Sequence, residues 1–289
     1  VLGRVRALRD AVNDASKRQV LSVYDTDEKA PVVPCVSTGI DALNTLISGR
    51  EDGGFPCGRI VEVRGKEATA KTSIALLTAA QAQKAGKIAA LIDLEHSFDP
   101  TYAVRLGVKI DELLFCQPDS GEEAFKVIRF LVKSGEAAVV IVDSVAALTS
   151  ISELDREEDV DNRPGVQAKM MSQGLRKLQS EMPRLGACVI FINQIRVNPM
   201  VMYGSKNYSP GGNALAYYAS VRLDIARIKT HVRPKGKRRI TEGFRIQLKT
   251  IKNRLCKPFQ ELELDVMFDT GIKLVEHKKG KSDVATAEE

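Results

Sequence analysis

Residues 65–73 read "GKEATAKTS", a set of types at a spacing that suits phosphate chemistry. The run follows the apolar segment "RIVEVR" and precedes the helix-period segment "IALLTAAQAQKAG". It departs from the phosphate-loop pattern G-x-x-x-x-G-K-[ST] at one position, where Ala70 replaces the second glycine. In such a loop, backbone N–H groups converge on an anion, and the helix that follows adds partial positive charge. Lys71 would reach the β- and γ-phosphates of a nucleoside triphosphate, and Thr72 would set its hydroxyl on Mg²⁺. Alanine at position 70 costs about 1 kcal/mol if its φ is positive. The plainer reading is a helix-start turn with a surface lysine.

Three other segments carry groups suited to the same chemistry. Asp143 ends the apolar run "AVVIVD", as an acid holding the Mg²⁺ shell through water would; an Asp that merely terminates a strand looks the same. Glu95 lies just past "LIDL", where a carboxylate can orient or deprotonate an attacking water; the alternative is a solvated loop acid. Gln194 ends "VIFINQ", within reach of a γ-phosphate. A structureless loop of about 15 residues, a length that is often functional, follows at once. It carries Arg196, Met200, Met202, Tyr203, Lys206 and Tyr208 before Gly211 and Gly212 hinge the chain back. Cationic, aromatic and Met side chains together suit a nucleic-acid strand, and also a lid over a small-molecule site.

The elements that must hold these groups alternate. "RIVEV", "KIAALIDL", "LLFCQ", "AAVVIVDS" and "ACVIFINQ" are mostly apolar on consecutive positions, the pattern of strands buried on both faces. Between them "KTSIALLTAAQAQKAG", "GEEAFKVIRFLVKSG" and "GVQAKMMSQGLRKLQSEM" show apolar residues at three- and four-residue spacing. That alternation predicts an α/β fold with a mainly parallel sheet and helices on both faces. After Gly212, "ASVRLDIARIKT", "EGFRIQLKTIKN" and "QELELDVMF" alternate apolar and polar residues, as half-exposed antiparallel strands do. Between the first two, "KTHVRPKGKRR" reads as a basic hairpin tip. The first 20 residues read as a helix and "QVLSVYD" as a short strand, detached from the core by a linker with Pro31 and Pro34. The tail from 276 to 289 is expected to be disordered.

The chain resembles the bacterial and viral RecA-type recombinases. "IDLEHSFDPTYAVRLGV", "VIVDSVAAL", "MMSQGLRKL", "IFINQIR" and "GGNALAYYASVRLDI" carry the resemblance, with "STGIDAL" and "GGFPCGRIVEV", over residues 36–272. It implies a RecA-like P-loop NTPase core over 35–275, a helix–strand arm over 1–34 that docks on the next protomer, and ATP and Mg²⁺ as cofactors. Gly65, Lys66, Glu67, Ala68, Thr69, Ala70, Lys71, Thr72 and Ser73 would form the phosphate loop. Glu95 would be the catalytic carboxylate, Gln194 the γ-phosphate sensor, and Thr72 and Asp143 the metal residues. Asp99, Tyr102 and Phe268 would lie about the base, and Lys252 and Arg254 would reach ATP on the adjacent subunit. The resemblance also implies DNA-binding loops near 155–165 and 195–209. Their contacts would come from Arg163, Gly165, Lys169, Ser172 and Arg176, then Arg196, Pro199, Met200, Met202, Tyr203, Lys206, Gly211, Gly212 and Asn213. Against the family pattern, Ala70 replaces the loop glycine, Arg254 a second lysine and Ala216 a basic residue. Tyr217 stands for the usual Phe at the subunit boundary, and the usual C-terminal domain has no counterpart after about 275. The activity implied is ATP-dependent strand exchange in a helical filament on single-stranded DNA, with homologous duplex as second partner. A regulatory ATP switch without recombination, or a motor ATPase on the same fold, are the other readings.

Bulk properties agree with a soluble globular chain. The 289 residues are 44% hydrophobic and 28% charged, with a net charge of +6. No apolar run reaches the roughly 18 residues of a membrane span, and the N-terminus has no apolar leader core. The five cysteines show no C-x-x-C pair and read as reduced thiols, so a cytoplasmic setting is expected. The three histidines are too far apart in sequence for a local metal motif.

Overall fold

The computed structural model describes residues 2–17, 32–151, 165–182, 186–197, 207–235 and 238–275. The chain divides into two compact units, Val1–Val33 and Pro34–Glu289. In the first, helix α1 (Leu2–Ser16) is largely exposed, Leu8 included. The strand expected at "QVLSVYD" and the tail from 276 onward lie outside the described residues.

In the second unit, β1 (Cys35–Val36) and β2 (Phe55–Pro56) pair antiparallel and flank α2 (Asp41–Ser48). The runs read as core strands become β3 (Ile60–Gly65), β4 (Ile88–Asp93), β5 (Leu113–Cys116), β6 (Ala137–Asp143) and β7 (Cys188–Gln194), all paired in parallel. The alternating runs become β10 (Val221–Lys235), β11 (Arg238–Asn253) and β12 (Glu261–Met267), with β13 (Gly271–Leu274) beyond them. Among the described residues these form one nine-stranded sheet, ordered β13-β12-β11-β10-β3-β7-β6-β4-β5. β10 joins the parallel half by pairing in parallel with β3.

Successive residues of a strand point to opposite faces, and both faces are buried. On one, Val61, Val63, Ile141 and Ile190 pack with Ile74 and Ala79 of helix α3 (Lys71–Lys84). On the other, Ile60, Val140 and Phe191 pack with Phe125 of α5 (Gly121–Ser134) and Leu175 of α6 (Val166–Glu181). Two short helices complete the described set, α4 (Pro100–Arg105) and α7 (Ala214–Tyr218).

Two expectations change and one holds. β5 is not buried on both faces: among the described residues it pairs only with β4, at the sheet's edge, and Leu114 and Phe115 are about half exposed. The basic segment 229–239 is the end of a hairpin, as expected, with β10 paired on to Lys235 and β11 resuming opposite it at Arg238. Register shifts at Arg227/Lys229 and His231/Val232 keep the ladder paired as it twists. The loop after Gln194 has a paired base, in which β8 (Arg196–Val197) meets β9 (Asn207–Tyr208) antiparallel.

Candidate functional site

The loop from Gly65 to Ala70 leaves the end of β3 and enters α3 at Lys71. Gly65 is required by close approach: a Cβ there would sit 2.4 Å from the Ile225 carbonyl oxygen and 2.7 Å from Thr69 Oγ1. Ala70 takes φ 63° and ψ 27°, the left-handed conformation the pattern's glycine would supply. The loop thus keeps its turn despite the substitution. Lys71 is 9% exposed, and its Nζ donates to the Lys66 carbonyl at 2.7 Å. Burial lowers its pKa, while Asp143, Glu95 and Glu67 pull it back up. Thr69 Oγ1 donates to the same Lys66 carbonyl at 2.9 Å, bracing the loop.

Around this loop the strand ends converge. Thr72 Oγ1 donates to Asp143 Oδ2 at 2.6 Å. Asp143 is buried at the end of β6, and desolvation raises its pKa to about 6 despite the Thr72 hydrogen bond and the nearby Lys71. Gln194 Nε2 donates to Glu95 Oε1 at 2.9 Å, and Ser144 Oγ donates to the same oxygen. Beside them lies a cavity of about 200 Å³ lined by Thr72, Asp143, Asp93, Phe98, Asp99 and Tyr102, among others. Asp99 caps α4, accepting from the Thr101 and Tyr102 backbone N–H groups, and so fixes Tyr102. Tyr102 in turn shares a 2.7 Å hydrogen bond with Ser73 on α3.

Phe268 is not among the residues lining that cavity. It follows β12, is about half exposed, and meets Phe244 edge-on at 6.1 Å between ring centroids. Lys252 and Arg254 lie at the opposite edge of the sheet from the loop. Lys252 pairs in register with Arg222, itself beside Glu62 near the start of β3. The Arg254 backbone N–H donates to Ser220, whose own N–H donates to Ile60. Lys252 Nζ donates to the carbonyls of Ala216 and Tyr217, each at 2.8 Å, at the end of α7. Burial, then Arg254 and Arg222, lowers its pKa.

Of the residues expected to meet DNA, Lys169, Ser172 and Arg176 share one exposed face of α6, and Gly165 caps its start with φ 99°. Arg196 is exposed at the loop base and Asn213 precedes α7. Gly211 and Gly212 both have positive φ. A Cβ on Gly211 would meet Val145 Cγ1 at 2.8 Å, so the return turn is fitted against the core. Arg163, Pro199, Met200, Met202, Tyr203 and Lys206 lie outside the described residues, as does the acidic stretch 153–161.

Sequence reasoning missed several supports. Asp93, buried at the end of β4, accepts from the Phe98 N–H at 3.2 Å and from Gln117 Nε2 at 3.0 Å, shaping the cavity wall. Its position at the end of an apolar run, like that of Asp143, was the available signal. Ser144 gave none beyond following Asp143. Asn193 looked like a strand terminus, yet it is fully buried, with Nδ2 donating to Glu62 Oε1 at 3.0 Å.

Comparison with known proteins agrees with this geometry. A family model described as the RecA N-terminal domain matches residues 6–273. The chain is 46% identical over 248 residues to Protein RecA of Methylobacterium radiotolerans, covering 86% of this chain and 66% of that protein. It is 47% identical over 252 residues to Protein RecA of Caulobacter vibrioides, covering 87% and 68%. It therefore spans about two thirds of the length of these curated relatives. A crystal structure of the RadB recombinase has the same fold, with a TM-score of 0.60 and 24% identity over 83% of this chain and 100% of that one. With the phosphate loop, the strand-end acids and a match along nearly the whole described core, the chain belongs to the RecA family.

Proposed function

We propose that this chain is an ATP-dependent DNA strand-exchange recombinase, forming a helical filament on single-stranded DNA with ATP held between neighbouring copies. The observation that carries the reading is the Gln194–Glu95 hydrogen bond. It ties the carboxylate of the phosphate cleft to the last residue of β7, directly ahead of the loop expected to meet DNA. The relatives named Protein RecA favour recombination over a regulatory switch or a motor.

The donor set fits ATP and Mg²⁺. A P-loop Mg²⁺ takes only one or two protein oxygens and completes its shell with phosphates and water. The Thr72 hydroxyl and Asp143 carboxylate, 2.6 Å apart, are hard oxygen donors of that kind. When bound, the ion would neutralise charge building on the β- and γ-phosphates. Lys71 would exchange its Lys66 carbonyl partner for phosphate oxygens, a short move for a buried ammonium. Glu95 would orient the attacking water and take its proton, while Gln194 and Ser144 hold the carboxylate in place. Tyr102, set by Asp99, would bound the base. Lys252 and Arg254 sit at the far edge of the sheet, so their target would be a nucleotide on the next copy. Phe268, half exposed beyond β12 and braced by Phe244, would bound the base as well.

Assembly has a fitting surface. Among the described residues β5 leaves one strand edge unpaired, beside half-exposed Leu114 and Phe115. Phe130 on α5 is 75% exposed. An unpaired edge with apolar neighbours invites an added strand, and residues 1–34 of the next copy would be the arm that supplies it. Tyr217, 72% exposed, would sit at the other boundary. DNA would be held by Lys169, Ser172 and Arg176 on α6 and by the loop above β8 and β9, with binding that falls steeply as salt rises. Among the described residues no helix is long and apolar enough to cross a membrane, and a cytoplasmic setting fits the reading.

The test is ATP turnover with and without single-stranded DNA, together with joint-molecule formation, using Lys71→Ala as control. The reading expects DNA-stimulated turnover and joint molecules, both lost in the control. Stimulated turnover without joint molecules would indicate a motor, and DNA binding without turnover a switch.

A further inference from the structure

Glu62 is the most buried carboxylate among the described residues, at 1% exposed, and no step above uses it. It sits mid-strand in β3, on the sheet face that also carries Arg222 and Lys252. A lone ionised carboxylate at such a site is expensive unless both oxygens are satisfied. Here they are satisfied from opposite sides. Oε1 accepts from Asn193 Nδ2 at 3.0 Å, and Oε2 accepts from Arg222 Nε at 2.5 Å.

Each partner leads somewhere. The Asn193 amide is fully committed: its Oδ1 accepts the Gln194 backbone N–H at 2.9 Å, and its Nδ2 also reaches the Pro210 carbonyl at 3.3 Å. Asn193 therefore sets both the strand end that presents Gln194 and the point where the long loop returns. On the other side, Arg222 faces Lys252 across the β10–β11 ladder. Lys252 holds the last carbonyls of α7, the helix into which that returning chain runs. Burial, then Arg254 and Arg222, disfavours a charged Lys252, and Glu62 partly offsets them.

Resting on the recombinase reading, we infer that Glu62 is a positioning residue coupling the two nucleotide contacts of one copy. One oxygen fixes the Asn193–Gln194 strand end facing its own ATP. The other fixes the Arg222–Lys252 cations facing the neighbour's. A change of Gln194 on ATP binding is thereby passed to the cations through a single rigid carboxylate, which gives cooperativity between copies.

The test is Glu62→Gln. Its side chain has the same shape but offers only one acceptor, which the Arg222 guanidinium takes, so an NH₂ is left facing the Asn193 NH₂. The half-saturating ATP for DNA-stimulated turnover is expected to rise about tenfold, and the Hill coefficient to fall towards one. The maximal rate should stay within about twofold, as should nucleotide affinity without DNA. Glu62→Gln combined with Asn193→Asp restores donor facing acceptor between the two side chains but sets a carboxylate oxygen against the Pro210 carbonyl, and is expected to recover part of the cooperativity. If Glu62→Gln does not fold, Asn193→Ser is expected to show the same split. A uniform loss of rate and melting temperature with unchanged cooperativity would overturn the inference and leave the recombinase reading standing. An unaltered chain with no DNA-stimulated turnover would overturn both.

Discussion

Gln194 and Glu95, 99 residues apart in the chain, share a 2.9 Å hydrogen bond across the mouth of the phosphate cleft. The bond joins the end of β7 to the residue just beyond β4, two strands separated in the sheet by β6. An amide that holds a carboxylate in the nucleotide's absence can release it to a phosphate, and that exchange would be felt in the loop rooted at Arg196. Gln194→Ala is therefore expected to keep nucleotide affinity but lose most DNA stimulation. Glu95→Gln should lower turnover about 10²–10⁴-fold, the usual worth of a general base, with DNA binding in ATP retained. Single-turnover hydrolysis and fluorescence titration of labelled nucleotide check both.

Ala70 adopts φ 63° in the phosphate loop. A Cβ in that conformation costs about 1 kcal/mol relative to glycine. Ala70→Gly should raise unfolding stability by about 0.5–1 kcal/mol, trimmed by the lost packing of a half-buried methyl. Urea melts measure it; a loss of stability would mean the methyl's packing outweighs the backbone strain.

Asp143 couples stability to pH. Its folded pKa, raised to about 6 mainly by desolvation, lies above the unfolded value of about 3.9. The fold therefore favours the protonated acid. The contribution is fully present below the unfolded pKa and is lost as pH rises through the folded one. Asp143→Asn should accordingly stabilise the nucleotide-free chain by about 1–3 kcal/mol near pH 7.5, with a smaller gain near pH 4.5, while abolishing Mg²⁺-dependent turnover. Denaturant melts of both proteins at the two pH values check the sign.

The parts most legible in the sequence were those with a local physical signature. β3, β4, β6 and β7 are buried on both faces; β4, β6 and β7 carry polar residues only at their ends, and β3 reads as a strand despite Glu62 and Arg64. β5 has the same composition, but its edge position follows from the strand order, which no local run encodes. Lys71, Thr72, Asp143, Glu95 and Gln194 could be singled out because strand ends and a helix start place them, and the structure brings them together. Glu62 was invisible because its partners, Asn193 and Arg222, lie 131 and 160 residues away. In sequence it is simply one of the polar residues of "RIVEVR". The pairing of Arg196 with Tyr208 was missed for a related reason: a two-residue ladder carries no periodicity.

The placement of Lys252 and Arg254 yields the sharpest prediction. Both lie at the edge of the sheet where β3 begins, and the phosphate loop leaves the edge where β3 ends. A chain lacking the two cations should therefore keep a sound nucleotide pocket of its own and fail only as a neighbour. Lys71→Ala has the converse defect, a damaged pocket with intact cations. Neither variant alone should turn over ATP on DNA. Mixed in equal amounts, they should recover activity wherever a sound pocket adjoins sound cations. Random assembly makes about a quarter of the junctions productive, so turnover should return to roughly that fraction of the unaltered rate, provided that copies assemble head to tail. Titrating one variant into the other reads this directly. No recovery at any ratio would place both functions in the same chain's pocket, contrary to the separation of these residues across the sheet.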